Sequence, residues 1–204
     1  MRKLLFASAV AAGFALGIPA AMTPAHAEIF SNGNCAIADD RGVNWAGRDM
    51  HGQLLENADL RNAGLRNANL RGARLDCVDL RGADLQGADL SGAMLEGVRL
   101  GGALLNGTLL ARIDCVGCDF ARADLSGHDL SGSHLIGANF ARADLRAADL
   151  RNAVLSGVDF ADVQLGGAKL ANATIVGSDF HNVDLRDVDL SNVRLSGDDF
   201  SRSP

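Results

Sequence analysis

The sequence predicts an all-β chain, a single domain wound as a four-sided solenoid of stacked parallel strands. Three observations predict it. Leu or Phe stands at nearly every fifth position from Leu55 to Phe200, with no insertion or deletion. A small residue precedes each by two positions, as in Ala58, Ala63, Ala68 and Ala73. Phe120, Phe140, Phe160, Phe180 and Phe200 recur at intervals of twenty. A period of five fits neither a helix at 3.6 nor a long strand at 2, and a fixed short period is the mark of stacked repeats. Large side chains recurring every twenty residues stack best directly above one another. That gives four pentapeptides per coil, with successive coils pairing as parallel strands about 4.8 Å apart.

Residues 1–27 have the form of a secretory signal peptide. Met1-Arg2-Lys3 is basic, Leu4 to Ile18 is apolar but short for a bilayer span, and Ala25-His26-Ala27 is an A-x-A cleavage site. Cleavage after Ala27 would place the mature chain in the periplasm or outside the cell. No later segment is apolar enough for a transmembrane helix, so the mature chain is expected to have no membrane span. Loss of Arg2 and Lys3 moves the net charge from −6 to −8, with 17 basic and 25 acidic residues. At that charge, with one Trp and no Tyr, a nucleic-acid-binding face is not expected.

Residues 28–54 are less regular and are assigned to an N-terminal cap. Trp45 and Met50 keep the phase, whereas Cys35, Asp39, Asp40 and Arg41 do not. Trp45 is expected over the open end of the first coil. Residues 55–200 form the solenoid. In each unit the large and the small residue point inward and the other three face solvent. Two residues after the large one, Gly or Asn occupies 21 of the 28 positions from Asn62 to Gly197, which suits the positive φ of a type II turn. Four large side chains per coil contribute about 1.5–3 kcal/mol each, against roughly 1–2 kcal/mol of backbone entropy per residue. A lone coil should therefore not fold, and stacking makes up the difference. Residues 201–204 are a tail. Asp198 takes the small inward position of the last coil, which points to an end open to water or to a partner.

Tandem A-(D/N)-L-x-x units such as "ADLQGADLSGA" and "ANFARADLRAADL" resemble the pentapeptide-repeat family. The resemblance covers about Leu55 to Phe200. It implies a right-handed quadrilateral parallel β-helix, and it implies no single function, because members differ in what they do. Dimerisation through an uncapped end is common among similar members, so a homodimer through the C-terminal coil is expected.

Cys115 falls on the large inward phase and Cys118 on the small one, so both thiols face the core. As first and fourth residues of one corner they lie within about 7 Å, inside disulfide reach. Two readings stay open, a local disulfide in an oxidising compartment and a pair of reduced core thiols. A zinc site is disfavoured because Cys77 sits on an outer corner and Cys35 in the cap. A redox motif is disfavoured because no helix N-terminus is present to lower a thiol pKa. If Cys115 and Cys118 pair, Cys35 and Cys77 remain to staple cap to coil. His128 is the other odd inward residue, between Thr108 and Ala148, where a polar neighbour or a corner carbonyl is the expected partner.

Three sides carry Asp columns, among them Asp59, Asp79, Asp119, Asp159 and Asp179. Three carboxylates per coil would match the charge spacing of duplex DNA, ~1.7 Å. This is the physical basis of the DNA mimicry proposed for gyrase-protecting members of the family that the sequence resembles. Arginines such as Arg61, Arg81, Arg146, Arg151 and Arg186 lie beside the columns, however. The fourth side projects Met94, Val116, His134, Ile136, Val154, Thr174 and Val176, with Leu104 and Leu109 on neighbouring sides. Contiguous exposed apolar residues mark contact surfaces. The expected function is an exported, non-catalytic, rigid scaffold binding an unidentified protein partner, with no cofactor and no metal. The alternative is an acidic DNA mimic acting on an enzyme such as DNA gyrase. No constellation of residues supports an enzyme.

Overall fold

The computed structural model describes residues 38–203; the expected signal peptide, Cys35 and the first part of the expected cap lie outside the described residues. In chain order the strands are β1 (Ala38–Asp39), β2 (Leu54–Glu56), β3 (Ala58–Asp59), β4 (Arg74–Asp76) and β5 (Met94–Glu96). They continue as β6 (Asp114–Val116), β7 (His134–Ile136), β8 (Val154–Ser156), β9 (Thr174–Val176) and β10 (Arg194–Ser196). β2 and β4 to β10 stack in chain order as one eight-stranded parallel sheet. Its register is twenty residues throughout: Leu55 pairs with Leu75, Leu95 with Cys115, Leu135 with Leu155. This is one wall of a four-sided parallel β-helix. The other three walls are narrower, each built of single bridging residues such as Asp59↔Asp79, Gly64↔Asp84 and Asn69↔Asp89.

Burial follows the five-residue phase. The large residues from Leu60 to Phe180 and nearly all the small ones are buried, forming one core along the axis. Rings of Phe120, Phe140, Phe160, Phe180 and Phe200 stack with centroids 4.8–5.6 Å apart. The corner residues hold positive φ, and Asn62 at 58° and Gly82 at 69° are typical. At Gly82 a Cβ would also lie 2.5 Å from the Asn62 side-chain oxygen, so a larger residue there would require that amide to turn away.

Two expectations need correction. The four corners are not alike. Three close with an i+3 to i hydrogen bond, as where Ala63, Ala68 and Ala73 donate to the carbonyls of Leu60, Leu65 and Leu70 at 3.0 Å. The corner leaving the sheet wall has no such bond, because there the residue after the large one is still a rung of the ladder (Glu56↔Asp76). The turn starts one residue later and stays open. Residues 38–54 also differ from a cap: β1 pairs with β3, and Trp45 and Met50 donate N–H bonds to Gly64 and Asn69 at 2.7 and 2.8 Å. Both side chains are buried as wall residues. The irregular letters around Asp40 belong to an end coil, where the inward phase tolerates polar residues.

Candidate contact surface

The sheet wall presents two outward columns, in which apolar side chains from Met94 upward are interspersed with polar ones, Glu96, Asp114 and Ser156 among them. Met94, Val116, Ile136 and Val176 are 42–47 % exposed. His134 is exposed beside them, and Val154 and Thr174 are half-buried. Register sets His134 beside Val154 and Val116 beside Ile136 on adjacent strands. Along the open corner, positions 97, 117, 137, 157, 177 and 197 are all glycine, so that edge carries no side chains. Below Met94 the wall turns polar, with Glu56 and with Arg74 donating to Asp76 at 2.9 Å. Leu54, at the foot of the wall, is also exposed. Its place in the irregular N-terminal stretch hid it from the sequence reading. Leu109 stands exposed on a neighbouring wall, whereas Leu104, expected on another neighbouring side, stands exposed on the wall opposite.

Cys115 and Cys118 form a disulfide in this structure, with Cα atoms 5.9 Å apart. It spans the open corner, so a covalent link stands where the other corners have a hydrogen bond. Cys77 is disulfide-bonded as well, and no described cysteine is free.

The inward polar residues follow a rule that the sequence did not disclose. Each reaches a carbonyl 23 residues back, in the turn of the coil below. Thr108 donates to Leu85 at 2.8 Å, and His128 Nε2 lies 2.8 Å from the Leu105 oxygen. His128 thus meets a corner carbonyl, not Thr108. Ser178 goes further. Its hydroxyl accepts from Val158 N–H at 3.2 Å and contacts the Leu155 oxygen at 3.4 Å, bridging the open corner. Asp198, expected to mark a wet interior, accepts from the backbone N–H of Ser178 and of Ser196, both at 2.8 Å. A carboxylate in that slot pairs one part-buried and one exposed backbone donor.

The Asp columns brace turns. Asp119, Asp124, Asp129, Asp159 and Asp179 each accept the N–H two residues on, at 2.7–3.1 Å, the Asx-turn pattern. Wherever Arg follows in an Asp-Leu-Arg triplet, it folds back on the same carboxylate. Arg61 grips Asp59 at 2.8 and 2.6 Å, and Arg81 grips Asp79 at 2.9 and 2.6 Å. Arg146, Arg151 and Arg186 do the same to Asp144, Asp149 and Asp184. Asp59 and Asp79 were expected in solvent but are only 3 % and 2 % exposed. The Arg61 hydrogen bonds hold Asp59 below the usual carboxylate range. Burial pushes Asp79 upward, but the Arg81 bonds outweigh it and the net shift is down. Arg186 holds the Asp184 carboxyl down to about 2.

A recess of about 320 Å³ opens beside Asp162, Gln164, Asn182, Asp184 and Asp187. It exists because Asp187 is not in the left-handed region and Gly167 N–H bonds to the Asp187 oxygen, one residue out of register. Two of its carboxylates are engaged, Asp162 by Arg142 and Asn182 and Asp184 by Arg186. Among the described residues no group of three His, Cys, Asp or Glu side chains could hold a metal ion, and no helix is long and apolar enough to cross a membrane.

Phase, corner geometry and coil stacking together define a solenoid of pentapeptides. The profile of pentapeptide repeats matches in eight copies, over residues 49–76, 64–102, 99–135, 138–175 and 164–202. The chain belongs to the pentapeptide-repeat family. Among solved structures it is similar to HetL, a pentapeptide repeat protein involved in heterocyst differentiation regulation from the cyanobacterium Nostoc sp. strain PCC 7120. Identity is 26 %, coverage 82 % of this chain and 84 % of that one, and the TM-score 0.34. It is also similar to QnrB1, a plasmid-mediated fluoroquinolone resistance protein, at 19 % identity, 79 % and 83 % coverage and TM-score 0.43. No curated protein matches the chain.

Proposed function

We propose that the protein is an exported, non-catalytic scaffold whose sheet wall binds a protein partner. One observation carries the reading: Met94, Val116, Ile136 and Val176 lie on one parallel sheet, Val116 directly beside Ile136, each more than two-fifths exposed. Apolar side chains so grouped on a rigid face are the form of a contact surface. Export rests on the signal-peptide pattern of residues 1–27. Leu190 and Leu195, exposed on the last described coil, support an end-to-end homodimer as a second contact. The DNA-mimic alternative gains nothing from the Asp columns, whose carboxylates are engaged by arginines or by turn N–H groups.

The test is capture from a periplasmic or culture-fluid extract with the mature protein as bait. Wild type should retain a specific partner, and the double substitution Val116→Asp, Ile136→Asp should lose it. Equal retention by both would reject the sheet wall. A cytoplasmic location together with inhibition of gyrase supercoiling would establish the mimic instead. Sedimentation of Leu190→Asp, Leu195→Asp against wild type tests the homodimer, which requires the variant to fall to monomer mass.

A further inference from the structure

We infer that the solenoid is jointed: its backbone is parted along two walls between residues 101–110 and residues 121–130, closing again where Arg112 N–H bonds to the Ser131 oxygen at 3.0 Å, and this makes a hinge. In the coil below, Leu85, Gly87 and Leu90 donate upward to the carbonyls of Leu104, Asn106 and Leu109 at 2.9–3.1 Å. In the coil above, Leu125, Gly127 and Leu130 donate to Asp144, Arg146 and Asp149 at 2.8 Å. Between them the ladder stops. Among the described residues, Gly102, Leu105, Gly107 and Leu110 make no such upward bond, and Asp124 and Asp129 make no downward one. Bridges join Asp84 to Leu104 and Asp124 to Asp144, but none joins Leu104 to Asp124 or Leu109 to Asp129.

The cause is steric. The inward column at this corner reads Ala68, Ala88, Thr108, His128, Ala148, Ala168. An imidazole stands in an alanine slot, directly above a threonine, and wedges the coils apart. Its Nε2 takes the Leu105 carbonyl at 2.8 Å, and its Nδ1 lies 3.2 Å from the Ser126 carbonyl. Ala103, on the lower lip, is half-exposed where the alanines above and below it in its column are buried. Leu105, Leu110, Leu125 and Leu130 remain buried, so the core stays shut and only the backbone has parted.

The opposite side of the same coils is intact. β5, β6 and β7 keep full register, Leu100 N–H reaches Asp119 at 2.9 Å, and the Cys115–Cys118 disulfide braces the corner diagonal to His128. An intact edge facing a parted one is the geometry of a hinge. Bending there changes the flatness of the sheet wall, since Met94 belongs to the lower segment and Ile136 to the upper.

Residue-resolved hydrogen exchange on the full chain tests this. Leu105, Gly107, Leu110, Asp124 and Asp129 should exchange roughly tenfold or more faster than Leu85, Gly87, Leu90, Asp144 and Asp149. Both lips should open at one common rate while Cys115 stays protected. His128→Ala, which restores the residue found above and below, should bring the lips to the protection of their neighbours. Uniform protection in wild type, opening of one lip alone, or no change in His128→Ala would each overturn the hinge.

Discussion

The wall of stacked phenylalanines and the sheet wall meet at one corner yet are built oppositely. The phenylalanine wall turns everything of consequence inward: five stacked rings inside, and on its outer surface Asp59 and Asp79 buried under their arginines. The sheet wall has more continuous backbone pairing but leaves β-branched side chains in solvent and its exit corner without a turn hydrogen bond. The repeat thus separates two tasks. Core and Asp-braced corners hold each coil, and the sheet wall, which ties coil to coil, also leaves apolar side chains in solvent.

Phe140→Ala should break the contrast most severely. Losing the second of the five stacked rings is expected to cost about 3–5 kcal/mol in denaturant melts of the mature protein. Asp79→Asn comes next. Loosening a buried carboxylate from its half-exposed guanidinium should cost about 1–3 kcal/mol and change the response to acid. The folded pKa values of Asp59 and Asp79 lie below the unfolded value. Their contribution is therefore complete above about pH 4 and is lost as pH falls through the lowered folded values. Wild type should show that loss in melts between neutral and strongly acid pH, and Asp79→Asn should show less of it.

Replacing the disulfide by the residues of neighbouring coils, Cys115→Leu with Cys118→Ala, should cost about 2 kcal/mol or less, because so short a loop restricts the unfolded chain only slightly. A loss as large as that of Phe140→Ala would mean the open corner depends on its covalent link. Smallest of all, Val116→Asp should change stability by less than about 0.5 kcal/mol. A large loss there would show the sheet wall to be structural and collapse the distinction between the two walls.

Much of this architecture was legible in the letters. Phase alone places Leu75, Phe140 and Ala143 inside and Asp124 and Ile136 outside, because a five-residue unit with one large and one small inward position admits a single winding. The sheet-wall residues could be collected from the sequence for the same reason. The open corner could not, since Gly117 and Gly127 look alike while only the second follows a closed turn. Burial of Asp59 depends on where Arg61 folds, which periodicity does not encode. Trp45 and Met50 carried the right phase, but the polar residues around them concealed a coil behind the look of a cap. His128 was visible as an oddity, yet its effect lies in bonds missing from neighbouring turns, and no pattern of letters records an absent bond.

The invariant twenty-residue register makes length a separate variable. A whole coil inserted or removed would shift everything beyond it along the axis by about 4.8 Å while leaving each remaining side chain on its own wall. Fewer than four pentapeptides would instead rotate the upper part by a quarter turn or more and carry Ile136 away from Met94. Copying in multiples of four is thus the one edit that can retune the separation of two bound partners without altering what either of them touches.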